Sequence, residues 1–453
     1  MREEADEPGK RFLVGLVLFA FLMNLLARGT QESFAVFLLP VQKGLGLTRP
    51  QITLTYAANM LSYGLSAPFA GQLVDRLGAR ATYGFGLTSL GLGYLLAGFA
   101  TELWHYVLTV GVLGGLGAAT LGMVTASALL SRWFTRRIGA VMSVPYAAVG
   151  VGMLLLPPIT QLLLSHYDWR TTYQILGGLV LLLLPAALLF PLQRISAGSR
   201  HWQAVRAAAT ASAAGPWTVS SATRTSAFWG LFAVYLFTSL AAYSVTPHSV
   251  AYLVEKGFHP LVAAWAFGLT GALSVVGMLS IGWISDRFGR RQTATLSYLS
   301  TMLGIGCLSL VALWPSLALV YAFVVFFGLM QGVRGPIIVA MVAVLFPGGG
   351  VGAIYGTLSL AMGLGAALGA WSSGLLFGVT GNYLASFLLA IAWALAGLLC
   401  FWVVPSLRHE RIASDDRVSL GAGADVLGSV GKKHRDLGGG QNVAGGTPKN
   451  HLP

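Results

Sequence analysis

The chain has 453 residues, of which 55% are hydrophobic and only 9% charged, and its mean hydropathy is +0.72. Soluble domains carry roughly 25% charged residues, so this composition cannot clothe a water-exposed surface and excludes a soluble enzyme. What remains is a polytopic membrane protein.

The net charge of +13 would suggest nucleic acid in a soluble chain. Its distribution argues otherwise, because 22 of the 28 Lys and Arg fall in alternate loops and at the termini, the bias that orients membrane proteins. Cys307 and Cys400 each lie in an apolar run and read as small core residues, with no disulfide framework, no metal spacing and no cofactor motif.

A membrane-crossing helix needs about 20 apolar residues, and lipid offers the backbone no hydrogen bonds, so apolar runs of that length must be helical. Twelve such spans are predicted in chain order: 12–40, 51–72, 81–100, 104–131, 138–165, 170–192, 226–254, 261–284, 293–313, 316–346, 351–378 and 382–404. The first follows Lys10 and Arg11 as a signal peptide would, but it runs too long and lacks a small-residue cleavage site. Cations cluster in the loops at Arg76 and Arg80, at Arg132, Arg136 and Arg137, and at Arg287, Arg290 and Arg291, and the stretch 193–225 adds four arginines with no acid. Both termini are therefore expected to face the cytoplasm, in a plasma membrane or, in a bacterium, the inner membrane. The Gly-rich, charged segment 405–453 is expected to be a disordered cytoplasmic tail.

An internal repeat organises the spans. GQLVDRLGAR (71–80) and GWISDRFGRR (282–291) agree at five of ten positions, and Gly139, Ala140, Gly150 and Gly152 pair with Gly352, Ala353, Gly363 and Gly365 at nearly the same offset. Six helices (1–192), a basic linker (193–225) and six more helices (226–404) make two pseudo-symmetric bundles. In that architecture a substrate site lies near the midplane between the halves.

These residues resemble the major facilitator superfamily (MFS) over nearly all of 12–404. The loop motif with Gly71, Asp75, Arg76, Gly78 and Arg80 is similar to the superfamily's signature between its second and third helices, and Gly282, Asp286, Arg287, Gly289, Arg290 and Arg291 echo it. The resemblance implies an all-α membrane fold of twelve helices and a secondary transporter. Within the superfamily, segments 32–52, 132–152 and 248–258 resemble the monocarboxylate transporter and oxalate:formate antiporter branch. Where many members of that branch hold an arginine in the eighth helix, this chain has Met278.

In the loop motifs, Gly71 and Gly282 are expected to end a helix and permit close approach. Asp75 and Asp286 are placed to meet a helix N-terminus or a nearby arginine. Such contacts would gate one face of the carrier. The competing reading is that these charges solvate a loop and enforce topology.

Ionisable groups at bilayer depth are costly and so are candidates for function. Four lie well inside a span: Arg28, Glu32, His248 and Arg334. Arg28 and Glu32 are four residues apart and share a helix face; a structural ion pair is the competing reading. Arg334 has no acid in its own span, which leaves one surplus cation where an unpaired ion costs several kcal/mol. A substrate with one carboxylate would complete the set, and arginine grips carboxylates bidentately. Arg28, Glu32, Arg334, His248, Tyr146 and Gln331 are the candidate substrate-binding residues, with Arg28, Glu32 and Arg334 expected around one midplane cavity. The competing reading of His248 is a hydrogen-bonded structural residue, which a lone His in a helix more often is.

The expected function is secondary transport of a small organic anion, a monocarboxylate first, by alternating access, with Glu32 as a site for coupled protons. The alternative is an MFS carrier for a drug-like or neutral metabolite in which the buried charges are structural. No enzyme signature is legible. The expected partners are a small-molecule substrate, protons and the lipid bilayer, with no nucleic acid, for a protein acting as a monomer.

Overall fold

The computed structural model describes residues 10–134, 138–190, 192, 217–346 and 351–405. Residues 193–216 of the expected linker 193–225 and the expected tail beyond Pro405 lie outside the described residues, as do the side chains of Asp75, Asp286 and Arg290. The described residues are helical with no strand among them, and they belong to one unit, Met1–Leu407. Among the described residues, nine helical stretches are individually long and apolar enough to cross a membrane. Two more spans are the limbs of one long helix, Arg49–Ala97, on either side of Gly78, and another is the broken pair Leu317–Gln331 and Arg334–Leu345. These complete the twelve.

The first span is α1 (Lys10–Glu32) and α2 (Phe34–Leu45), interrupted at Ser33. The long helix Arg49–Ala97 is α3. The fourth span starts as α4 (Leu103–Tyr106), widens into a π-helical turn at Val107–Leu113, and continues as α5 (Gly114–Leu121) and α6 (Met123–Leu130). Then follow α7 (Ile138–His166) and α8 (Trp169–Leu189), the latter capped by Asp168, which accepts from the Thr171 amide at 2.9 Å. A short α9 (Val219–Ala222) precedes the seventh span, which runs as α10 (Ser226–Tyr243), a 3₁₀ turn Thr246–His248 and α11 (Ser249–Glu255). The remaining helices are α12 (Pro260–Phe288), α13 (Arg290–Leu310), α14 (Leu317–Gln331), α15 (Arg334–Leu345), α16 (Val351–Thr380) and α17 (Leu384–Val403).

Spans one, four, seven and ten are the interrupted ones, each the first member of a group of three. That spacing is the signature of three-helix repeats nested inside each half. Their breaks free backbone groups that lipid cannot satisfy, so polar side chains must collect beside them. The candidate charges do so: Glu32 adjoins the break at Ser33, His248 ends the 3₁₀ turn, and Arg334 opens α15.

The sequence repeat recurs in the backbone. Gly78 takes φ 80°, ψ 170° and Gly289 takes φ 84°, ψ 150°, a region essentially reserved for glycine. One helical turn later Thr82 and Thr293 hydroxyls cap these glycines' carbonyls at 2.9 and 2.8 Å. The expectation that Gly71 and Gly282 end their helices is corrected here. Both lie within helices that run on to Gly78 and Phe288, because the chain turns only where φ becomes positive.

The halves meet along two seams. In one, α3 packs on α16, where a Cβ on Gly64 would stand 2.9 Å from the Gly363 Cα and one on Gly374 would overlap Thr53. In the other, α7 packs on α12, where a Cβ on Gly150 would fall 2.3 Å from the Gly271 oxygen. Small residues allow this backbone approach, as membrane helices without a hydrophobic drive require. Gly356 lies two turns before Gly363 on the same face of α16, nearer the termini, yet a Cβ there would meet none of the described residues within 4 Å. The seam is therefore packed on the side opposite the termini and parts toward them.

Candidate functional site

Arg28 sits on the last turn but one of α1. Its Nη2 donates to Glu32 Oε1 at 2.6 Å and, across to the other half, to the Tyr243 hydroxyl at 3.0 Å, while Nη1 donates to Gln31 Oε1 at 2.8 Å. The i, i+4 spacing that puts Arg28 and Glu32 on one face is realised as an ion pair, with the Arg28 side chain 13% and that of Glu32 3% exposed. Tyr243 reaches the pair because α10 ends there, ahead of the break in the seventh span.

The pair is anchored from behind by a polar chain. Gln31 Nε2 donates to Asn59 Oδ1 at 2.6 Å, and Asn59 Nδ2 donates to the Val110 carbonyl at 2.7 Å. Val110 lies in the π-helical turn of the fourth span, where wider winding disturbs the regular ladder and makes a carbonyl available. Four helical elements thus fix one guanidinium.

Tyrosines gather around the pair. Tyr56 and Tyr63 of α3 lie within electrostatic reach of Arg28, and Tyr146 of α7 lies beside Tyr63 and Tyr355. The Tyr355 hydroxyl is 3.1 Å from that of Tyr235. Both halves contribute rings, and the buried Tyr56 hydroxyl has no partner among the described residues. Gln331, at the end of α14, donates to Thr246 in the seventh span at 3.4 Å.

Arg334 stands elsewhere. It is 2% exposed, its guanidinium lies 4.7 Å from the Tyr298 ring centroid, and Nη2 donates to Thr301 at 3.1 Å, both on α13. Nε and Nη1 have no partner, and no carboxylate pairs with it among the described residues. The expected common cavity is not formed by direct contact: no hydrogen bond or ion pair joins Arg334 to Arg28 or Glu32 among the described residues. His248 is fully buried, with Nε2 3.0 Å from the Ala370 carbonyl and Nδ1 3.1 Å from the Tyr383 hydroxyl.

The comparison with known families decides the class. The family model described as Major Facilitator Superfamily matches residues 17–332 and 281–435. The chain belongs to the Major Facilitator Superfamily. It is therefore a membrane transporter and not an enzyme. It is 29% identical over 401 residues to monocarboxylate transporter 13 of Rattus norvegicus, covering 87% of this chain and 89% of the relative. It is 26% identical to the uncharacterized MFS-type transporter YcxA of Bacillus subtilis (strain 168), covering 87% and 96%, and 25% identical to monocarboxylate transporter 12 of Mus musculus, covering 92% of each. The crystal structure of the nucleoside transporter NupG superposes with a TM-score of 0.71 at 12% identity, covering 87% of this chain and all of that one, a likeness of fold.

In this MFS transporter the loop motifs lie at the ends of the spans nearer the termini, with Arg76, Arg80 and Arg287 exposed. Sequence reasoning passed over Gln31, Tyr56, Tyr235, Tyr243 and Tyr355 because polar and aromatic residues at helical spacing usually serve packing. Only the pairing of elements distant in sequence reveals them. Arg49 and Glu255, 206 residues apart, carry no sequence signal of their meeting.

Proposed function

We propose that this transporter carries a small organic anion, a monocarboxylate first, by alternating access and together with a proton. The observation that carries the reading is the Arg28 guanidinium, half-buried between the halves and held by Glu32 and by Tyr243 at once. A substrate carboxylate that takes Arg28 Nη2 displaces Glu32, and a free carboxylate in that setting costs several kcal/mol. Protonation of Glu32 removes the cost, so anion and proton enter together and the charge of the site is unchanged. Release of Arg28 from Tyr243 also loosens a link between the halves, which ties binding to movement.

The remaining candidates take supporting roles. Arg334, without a carboxylate partner among the described residues, adds a positive field that favours anions over cations in a low-dielectric interior. Tyr146 and Gln331 contribute hydrogen-bonding groups, and His248 belongs to the closed face. The names of monocarboxylate transporters 12 and 13 support the substrate class. In this reading residues 1–192 and 226–404 rock about 193–225, the loop motifs with Asp75 and Asp286 gate the cytoplasmic face, and both termini lie in the cytoplasm of a cell whose plasma membrane holds the monomer.

A second reading has a specific observation in its favour. Arg28 is already neutralised by Glu32, which suits a neutral or drug-like compound with the charges structural. One experiment separates the two. Purified protein is screened for thermal stabilisation by monocarboxylates, dicarboxylates, sugars and cationic dyes, because a ligand that binds only the folded state raises the unfolding temperature. Monocarboxylates are expected to stabilise, and an acid-outside gradient to drive their uptake into proteoliposomes. Glu32→Gln should abolish that pH dependence while sparing anion exchange. Stabilisation by sugars or dyes alone would favour the second reading.

A further inference from the structure

On the face opposite the termini, one side chain of the first half is plugged into the second. Arg49, the first residue of α3, is only 5% exposed. Its Nη2 pairs with Glu255 at the end of α11, its Nη1 donates to the Tyr383 hydroxyl at 2.9 Å, and its guanidinium carbon lies 4.5 Å from the Phe377 ring centroid. Glu255, Phe377 and Tyr383 come from three separate segments of the second half, so the socket exists only when that half is assembled.

The socket is itself braced. Tyr383 is the residue before α17 and lies 3.1 Å from His248 Nδ1, while His248 Nε2 is 3.0 Å from the Ala370 carbonyl of α16. A carbonyl only accepts, so Nε2 carries the hydrogen and Nδ1 is free to accept from Tyr383. Tyr383 then accepts from Arg49 and donates to His248, and every proton in the chain Arg49, Tyr383, His248, Ala370 has one consistent place. Directly beneath, the Thr53 hydroxyl caps the Arg49 carbonyl at 3.0 Å and packs on Gly374. Val36 of α2 is 3% exposed within a cluster that also holds Val250, Leu253, Ala263 and Phe267 of the second half.

We infer that Arg49, seated on Glu255, Phe377 and Tyr383 with His248 as brace, is the latch that holds the transporter closed on the face opposite the termini, and that its strength sets the balance between the two access states. It is a positioning device for transport, independent of substrate identity. Parting of this face requires the guanidinium to leave an ion pair, a hydroxyl and an aromatic face together. Weakening the latch therefore favours the state open on that face.

The test needs no known substrate. In a background with Cys307 and Cys400 replaced by alanine, single cysteines are placed under the latch (Thr53→Cys, or Val36→Cys should the first fail to fold) and at the open end of the seam (Gly356→Cys). Their labelling by a charged maleimide is followed in nanodiscs, where both faces meet the reagent. Glu255→Gln is expected to raise the rate at 53 and 36 by about tenfold and to lower it at 356. The swap Arg49→Glu with Glu255→Arg should bring both sites back toward the parent rates, whereas each single change should not. Opposite signs at the two ends are what a shift between states produces; general loosening would raise both. Unchanged labelling at 53 and 36, a joint rise at both ends, or a swap no better than its single parents would each overturn the latch.

Discussion

A buried guanidinium without a carboxylate is an expensive thing to keep, and among the described residues Arg334 is in that position beside Tyr298. Its hydrogen bond to Thr301 and its ring contact offset part of the desolvation, the ring contact contributing ~0.5–2 kcal/mol. Two unpartnered nitrogens at ~1–3 kcal/mol of penalty offset that again. A residue kept for stability would not be built this way. Arg334→Met is accordingly expected to leave the unfolding temperature of the ligand-free protein unchanged or higher, while shrinking the stabilisation given by monocarboxylates. Differential scanning fluorimetry with and without anion checks both halves of the statement. A large loss of stability without ligand would return Arg334 to a packing role. Arg28 and Glu32 were legible as a pair because helical spacing alone puts them on one face. Arg49 and Glu255 were not, since 206 residues separate them and a loop cation and a loop anion carry no mark of their meeting.

At the scale of elements, the repeated loop motif was legible as a repeat, but the position of its turn was not. A glycine marks permissiveness, and each copy holds two; only the backbone tells which is used. Gly78 and Gly289 adopt positive φ, whereas a Cβ on Gly71 would merely touch Val124 at 3.7 Å. Gly78→Ala and Gly289→Ala are therefore expected to destabilise by ~1–3 kcal/mol each, and Gly71→Ala to be near neutral, as judged by thermal unfolding of the purified variants. Equal losses at 71 and 78 would mean that the motif needs close approach more than it needs the turn. The four interrupted spans were hidden for a related reason. Ser33, the π-helical turn and the break at Gly332 and Val333 sit inside the predicted spans 12–40, 104–131 and 316–346, and hydropathy averaged over a whole span responds to side chains without sensing how the backbone is wound.

For the whole molecule, two glycine-lined seams and a latch close one face while the same face of α16 stands open at Gly356. Alternating access requires these seams to part and the opposite end to close, so anything that wedges a seam should favour the alternative state. Gly64→Val puts a branched side chain where even a Cβ would lie 2.9 Å from the Gly363 Cα. Backbone cannot yield there as a flexible side chain would, and the strain is relieved only if α3 and α16 move apart. Spin labels at the exposed Tyr167 and Trp314, one in each half on the face opposite the termini, should then report a longer distance than in the parent protein. The same wedge at Gly150, on the α7–α12 seam, should lengthen it likewise, because both seams border one opening. Should the Gly64 variant remain folded with an unaltered distance distribution, the halves would have to part by sliding along α3 and α16 instead of separating across them.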